Sequence, residues 1–361
     1  MHKKRYIGIM SGTSLDGVDA VLCEIDAASC QLLGSLEYPM PLELKSDILM
    51  MIEGKTTLEH VGQIDYRLGM LFTQAVETLL IRENIDASTI VAIGSHGQTL
   101  WHEPDGKYPF SMQLGDPNIL TAKTGIPVVT DFRRKDIALG GQGAPFAPAF
   151  HEFIFGNINM AIAIVNIGGM ANITVLKHAG NEKIIGYDTG CGNVLLDTWI
   201  VEHQGVPYDK DGGWARSGTV DYELLDAMMR DAYFDLPYPK STGREKFNND
   251  WLKSYLKGKT HTPEDVQRTL LELTALSISN EVLRFNTDMV LLCGGGAKNT
   301  FLLERIKALI PNIEVTIAQH SDQMEAMTFA WLAYKRIQRE PVDLKDVTGA
   351  SQNAILGGIY E

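Results

Sequence analysis

Cysteine is scarce in this 361-residue sequence, and the four residues present, Cys23, Cys30, Cys191 and Cys293, form no Cys-x-x-Cys pair and have no histidine at zinc-ligand spacing. That excludes a sequence-encoded zinc motif and a disulfide-stapled scaffold, and fits a reducing cytoplasm. No window of about 18 apolar residues occurs, so no membrane span is expected. Positive charge is in deficit: 32 Lys and Arg stand against 45 Asp and Glu, a net charge of −13, and no basic stripe opposes it locally. The resulting field repels polyanions, which argues against nucleic acid as a partner. An anionic small substrate must then be held by backbone N–H groups, one or two arginines and a bound cation. The opening Met-His-Lys-Lys-Arg passes directly into Tyr6-Ile7-Gly8-Ile9-Met10, without the apolar length or cleavage site of a signal peptide.

Common nucleotide signatures are missing as well. Gly54-Lys55-Thr56 and Gly258-Lys259-Thr260 lack the earlier glycine of a Walker A loop, since Leu49 and Lys253 stand there. No G-x-G-x-x-G opens the first strand, which disfavours a dinucleotide fold. Asp188-Thr189-Gly190 occurs once, whereas an aspartic protease needs two such carboxylates sharing a proton.

What is present is an ordinary globular composition, 45% apolar and 21% charged, in a chain long enough for two domains. Short strand patterns over 5–10, 18–26 and 29–38 form a β-meander. Helical spacing follows over 43–53 and 58–84, where Leu68, Leu71, Phe72, Ala75, Leu79 and Leu80 recur every three or four residues, and strands return at 90–94 and 126–130. A composition shift near Asp131, ahead of Gly140-Gly141-Gln142-Gly143-Ala144-Pro145, sets a domain border and a hinge or active-site loop. The layout then repeats: strands at 160–167, 171–177 and 183–187, helices at 193–204, 221–230 and 263–285, a strand at 289–292, a helix at 298–309, a strand at 313–317 and a helix at 322–338. The expected domains are 1–130 and 131–340, with 341–361 completing the first.

Four glycine-rich segments carry the chemistry. Gly8 to Asp19 contains the turn Gly12-Thr13-Ser14-Leu15-Asp16-Gly17-Val18-Asp19, in which glycines let N–H groups point inward and hydroxyls add donors for phosphate oxygens. Asp16 or Asp19 then offers a ligand for Mg²⁺, directly or through water. Taken alone, the turn also reads as a plain hairpin bent at Asp-Gly. Asn166-Ile167-Gly168-Gly169-Met170-Ala171-Asn172 repeats the strand–glycine–strand pattern, so that two such turns face each other across a cleft. Cys293-Gly294-Gly295-Gly296-Ala297-Lys298-Asn299 leads a buried strand into a helix and lets adenine or ribose lie against backbone. Asp188, at a strand end beside Gly186, Gly190 and Gly192, is placed as a general base, with a helix cap as the alternative. Trp101, Trp214 and Trp251 are candidates to stack on a sugar, or to pack in the core.

In that order, these segments resemble the sugar kinase, heat-shock ATPase and actin superfamily. The wording Gly8-Ile9-Met10-Ser11-Gly12-Thr13-Ser14-Leu15-Asp16-Gly17-Val18-Asp19 is similar to the anhydro-N-acetylmuramic acid kinase family within it. Further matches are Ser95 to Thr99, Gln113 to Pro117, Asp131-Phe132-Arg133, Gly140 to Pro145, Asn166 to Asn172, Asp188-Thr189-Gly190, Ser241 to Glu245, Val347-Thr348-Gly349 and Leu356-Gly357-Gly358. Cys191 departs from the proline or other small residue expected there. The resemblance implies an α/β fold of two actin-like (RNase H-like) domains, each a mixed five-stranded sheet with helices, around an interdomain nucleotide cleft. It implies ATP and Mg²⁺, a homodimer and a cytoplasmic role in peptidoglycan recycling. The implied reaction opens the internal ether of 1,6-anhydro-N-acetylmuramic acid with water activated by Asp188 and phosphorylates O6. Gly12 to Asp19, Asn166, Gly168, Gly169, Asn172, Gly294 to Gly296 and Asn299 are the implied nucleotide residues, and His96, Gln98, Arg133 and Glu325 the sugar contacts. Two other readings stay open: a kinase of an ordinary sugar or small acid, and an ATP-switched interaction protein of the actin or heat-shock kind.

Overall fold

The protein is described by a computed structural model covering residues 3–12, 15–176, 183–258 and 260–361. Its chain forms two compact units, Met1–Phe155 with Gln323–Glu361, and Gly156–Asp322. In the first unit, β1 (Lys4–Ser11), β2 (Gly17–Ile25) and β3 (Cys30–Pro39) make the antiparallel meander expected from their short apolar runs. β4 (Ile90–Glu103) runs parallel to β1, β5 (Phe110–Leu114) folds back on the far end of β4, and β6 (Val128–Thr130) runs parallel to β4. In the second unit β7 (Ile162–Ile167), β8 (Met170–Leu176) and β9 (Ile185–Cys191) repeat the meander, and β10 (Met289–Cys293) and β11 (Glu314–Ile317) add parallel strands. The order β11-β10-β7-β8-β9 matches β6-β4-β1-β2-β3, the duplicated mixed sheet of the expected fold class. The first sheet exceeds five strands by β5 and by β12 (Gly358–Tyr360), which pairs antiparallel with β6. The tail thus completes the first sheet.

Each sheet has its own core. The helix Leu58–Arg82 starts where the Thr57 side chain accepts the His60 amide, and buries Ile64, Leu68, Leu71, Phe72, Ala75, Val76 and Leu79. That stripe packs on Ile7, Ile9, Val18, Ala20 and Leu22 from β1 and β2, each large side chain worth about 1.5–3 kcal/mol when buried. In the second unit the helix Pro263–Leu283 is buried nearly all round, polar residues included. Those polar groups find partners inside: Thr274 donates to the carbonyls of Cys191 and Gly192.

The opposite face of the first sheet is covered by the helix Met324–Ile337, and two glycines permit it. Gly8 and Gly94 lie side by side in the β1–β4 register. A β-carbon on Gly8 would strike the Ala326 carbonyl, and one on Gly94 the Phe329 carbonyl. The helix therefore rests its backbone on the strands, while Tyr334 meets Tyr6 edge-on at 5.7 Å between ring centroids. This contact corrects the expected border: residues 131–155 and the helix anticipated at 322–338 group with the first unit. The β4–β5 hairpin was also not foreseen, because its outer residues Trp101, His102 and Glu103 are exposed and carry no clean alternation.

Replacing Gly8 or Gly94 by alanine forces the helix off the sheet and should cost about 1–3 kcal/mol. Thermal unfolding should show a lowered Tm for both, whereas Gly62→Ala, at an exposed helical position with open space around it, should hold or raise Tm. Unchanged Tm in Gly8→Ala and Gly94→Ala would remove the glycine contact as a constraint.

Candidate active site

In the first unit, β1 ends at Ser11, whose hydroxyl donates to Gln98 Oε1 at 2.6 Å in a buried pair that ties β1 to β4. The turn that follows is anchored by Leu15, which is 1% exposed, sits in the core and has φ of 56°. Its amide reaches back to Gly12 O at 3.3 Å. Gly17 lies against Tyr38, where a β-carbon would come 2.8 Å from the carbonyl oxygen. Val18 points into the core as well, so Leu15 and Val18 can meet a ligand only through backbone. Thr13 and Ser14 lie outside the described residues. Asp16 is exposed and pairs with Lys45 at 2.9 Å, while Asp19 is half-buried on β2, in register with Met10. Among the described residues no group of three or more His, Cys, Asp or Glu stands at metal-holding distance. A Mg²⁺ bound chiefly through phosphate oxygens and water needs only one or two carboxylates.

Three of the four sugar candidates come together. His96 Nε2 lies 2.7 Å from Arg133 Nη2, and Arg133 Nη1 donates to Gly143 O at 2.8 Å. A guanidinium only donates, so the imidazole proton sits on Nδ1. Burial, and then the Arg133 charge, depress the His96 pKa to about 3, with the nearby carbonyls of Gly97 and Ser11 pulling the other way. His96 is therefore neutral. Arg133 is lowered by burial to about 10 and supported by the negative charge of Glu325, so it remains a cation. Its guanidinium lies over the Phe146 ring at 5.0 Å, and Phe329 backs His96 at 4.8 Å. Gln98 is the fourth, 2% exposed and turned to Ser11. Sequence reasoning missed what holds Arg133. Asp136, 3% exposed, accepts the Gly143 amide at 2.7 Å and the Thr348 hydroxyl at 2.8 Å. The runs Gly140 to Pro145 and Val347-Thr348-Gly349 were the available signals.

In the second unit three glycine-rich turns converge. The carbonyls of Gly168 and Gly169 accept the amides of Gly192, Asn193 and Val194, fastening the start of the helix Val194–Gln204 to the β7–β8 turn. Gly294, at φ 78°, packs so closely that a β-carbon would strike the Asn166 side chain, and one on Gly296 would strike Ile167. Gly295 faces open space, and around Gly169 only Arg244 Nη2 approaches, at 4.0 Å from where a β-carbon would stand. These two positions leave backbone accessible to a flat or phosphorylated ligand. Asn299 is different: its Oδ1 accepts the Leu302 amide at 3.0 Å and caps the helix Thr300–Leu309.

Asn166, Asn172 and Asp188 form a row across the sheet, since Asn166 pairs with Asn172 and Asn172 with Asp188. The Asp188 carboxylate takes the Ser241 hydroxyl at 3.1 Å and the Thr242 amide at 3.0 Å, both on Oδ2. No protein partner on Oδ1 occurs among the described residues. Burial raises the Asp188 pKa, Thr242 and Ser241 pull it down, and Glu245 pushes it up again. The helix-cap alternative does not apply, because the helix begins six residues later at Val194. Asp197, unremarked in the sequence, is raised to about 6 by burial, tempered by Arg244. Of the tryptophans, Trp251 packs on Phe247 and Tyr255 with its Nε1 bonded to Asp231, Trp214 packs against the core, and Trp101 is exposed. Cys191 is fully buried.

The family model for Anhydro-N-acetylmuramic acid kinase matches residues 4–361. A protein of that name from Sulfurovum sp. (strain NBC37-1) is 66% identical over 362 residues, covering 100% of both chains. Another from Aliivibrio fischeri (strain ATCC 700601 / ES114) is 54% identical over 365 residues, covering 99% of each. Among solved structures, component A of the Acidaminococcus fermentans (R)-2-hydroxyglutaryl-CoA dehydratase aligns with a TM-score of 0.49 at 10% identity, over 93% of this chain and 99% of that one. With a family match along nearly its whole length and relatives above half identity, the chain belongs to the anhydro-N-acetylmuramic acid kinase family.

Proposed function

We infer that the protein is an ATP-dependent kinase that opens the 1,6-anhydro ring of 1,6-anhydro-N-acetylmuramic acid and phosphorylates O6, yielding N-acetylmuramic acid 6-phosphate and ADP in cell-wall recycling. Family membership supports the reaction, and the observation that carries its chemistry is Asp188, held on Oδ2 with Oδ1 turned to no protein donor among the described residues. O6 of this substrate is locked in an ether to C1 and has no proton to lose. The base therefore acts on water: Asp188 takes a proton as the water oxygen bonds to C1, the C1–O6 bond breaks, and O6 accepts the γ-phosphoryl group of ATP. A carboxylate with a raised pKa is a stronger base for this step than an exposed one.

The accessible backbone at Gly169 and Gly295, beside Gly168, Gly294, Gly296 and Asn166, and the turn from Gly12 to Asp19 form the nucleotide contacts of this reading. Asn172 joins them through its place beside Asp188. Asn299 is a further contact of this reading, its Oδ1 also capping the helix Thr300–Leu309. For Mg²⁺, Asp16 and Asp19 both remain candidates, Asp16 being paired at the surface with Lys45. When bound, the ion neutralises phosphate charge. Arg133 is assigned to the lactyl carboxylate, and neutral His96, Gln98 and Glu325 to the N-acetyl and O4 groups. A cytoplasmic homodimer completes the reading.

In ¹⁸O-labelled water with ATP and Mg²⁺, the anhydro sugar should give product labelled at C1, and a panel of ordinary sugars and small acids should give little product. Comparable phosphorylation of free N-acetylmuramic acid would favour the ordinary-kinase reading, and sugar-independent phosphate release the switch reading. Asp188→Asn should lose turnover on the order of 10²–10⁴-fold while calorimetry shows unchanged nucleotide affinity. Because burial raises the Asp188 pKa, activity of the wild type should fall on the acid side at a higher pH than an unperturbed aspartate would give. Asp188→Asn with full turnover would remove it as the base.

A further inference from the structure

Asp188 is held at more points than its carboxylate. Its amide donates to the Lys240 carbonyl at 3.0 Å, and its own carbonyl accepts the Tyr233 hydroxyl at 2.8 Å. With Ser241 and Thr242 on Oδ2, all four restraints come from the segment 233–242. That segment, mostly irregular between the short helix Ala232–Asp235 and Thr242, has little ladder bonding to keep it still. Besides the packing of Tyr233, Phe234 and Tyr238, it is secured by the Lys240 side chain, 2% exposed, whose Nζ donates to the carbonyls of Tyr233 and Phe234, at 3.3 Å each, and to Glu281 Oε1 at 2.7 Å. Nζ also lies 4.9 Å from the Tyr233 ring centroid.

Glu281, with its side chain 4% exposed, stands in the buried helix Pro263–Leu283 and is saturated on its other oxygen. Oε2 accepts the Tyr187 hydroxyl at 2.8 Å and pairs with Arg284 Nε at 3.1 Å. Tyr187 precedes Asp188 on β9, so the same carboxylate grips the base from the strand side too. Two buried charges are costly to desolvate, and replacing such a pair by neutral groups of similar size is often harmless to stability. Stability alone gives little reason to bury this one, whereas two of its partners, Tyr233 and Tyr187, lead directly to Asp188.

We propose that the buried Lys240–Glu281 ion pair is a positioning device for the catalytic base, locking the segment 233–242 and β9 onto the helix Pro263–Leu283 so that Asp188 presents Oδ1 to water in one orientation. Lys240 and Glu281 touch no reacting atom in this role. The inference rests on the assignment of Asp188 as the base. The charged and titratable groups around Asp188 are Glu245, Tyr233, Tyr187, Lys240, Glu281 and Arg284. Loosening the segment weakens the Ser241 and Thr242 bonds that favour the carboxylate form, so the acid limb moves to higher pH.

The test compares Lys240→Met/Glu281→Gln, which removes both charges at similar volume, with Tyr233→Phe, Asp188→Asn and wild type. Misplacing a catalytic group by about 1 Å can cost 10²-fold in rate, so the double variant should lose about 10- to 100-fold in kcat at unchanged KM for ATP, with the acid limb shifted upward. Tyr233→Phe should show a smaller loss of the same kind. Added to Asp188→Asn, neither change should lower turnover further, because the base it positions is gone. A folded double variant with wild-type kcat and acid limb overturns the clamp. Should the double variant not fold, Tyr233→Phe with wild-type kcat and pH profile overturns it instead. Full turnover in Asp188→Asn defeats the base assignment itself, a result distinguishable from either.

Discussion

Backbone resting directly on backbone is the constraint on which the rest of this structure depends. At Gly8 and Gly94 it lets the helix Met324–Ile337 close over the first sheet from the far end of the chain. That helix brings Glu325 to Arg133 and Phe329 to His96, so a packing feature assembles the polar cluster. In the second unit the same physics works at a smaller scale. Gly192, Gly294 and Gly296 let three turns share one small volume, while Gly169 and Gly295, which are not pressed against a neighbour, leave their backbone open. A side chain at the crowded positions would push the turns apart by overpacking.

Charge inside each unit is handled by pairing or by neutrality. His96 is kept uncharged beside a cation, because protonating it would place two positive charges together in a buried place. Arg133 stays charged because it has Gly143 O, the Phe146 ring and Glu325 to compensate lost water. Asp188 sits between these extremes. Burial favours its proton and two hydrogen bonds favour its anion, the balance that the base role proposed for it calls for.

Much of this was legible in the order of residues. Alternation and glycine punctuation located β1, β2, β3, β7 and β8, and the spacing of Leu68, Leu71, Phe72 and Ala75 located the main helix of the first unit. The echo of the first half's element order in the second followed from those elements. Asp188 was singled out as a candidate base because the glycines beside it at a strand end let a substrate approach, with a helix cap as the alternative. The family motifs then narrowed the chemistry to one class of substrate, since motif wording records which backbone turns and side chains a reaction needs.

Other features depend on contacts remote in sequence, and local patterns do not carry them. Asn299 also caps a helix, because its side chain finds the Leu302 amide. Asp16 meets Lys45, 29 residues away. Asp136 reads like one more surface acid, yet Gly143 and Thr348, 7 and 212 residues away, converge on it. Lys240 and Glu281 are separated by 41 residues and look like ordinary solvated charges. The sequence by itself determined most of the elements, the glycine turns and the chemical class, because each is written in neighbouring residues. Only the tertiary structure decided which unit owns the last long helix and which charges are buried together, because those depend on free energies of desolvation and close packing that no local window contains.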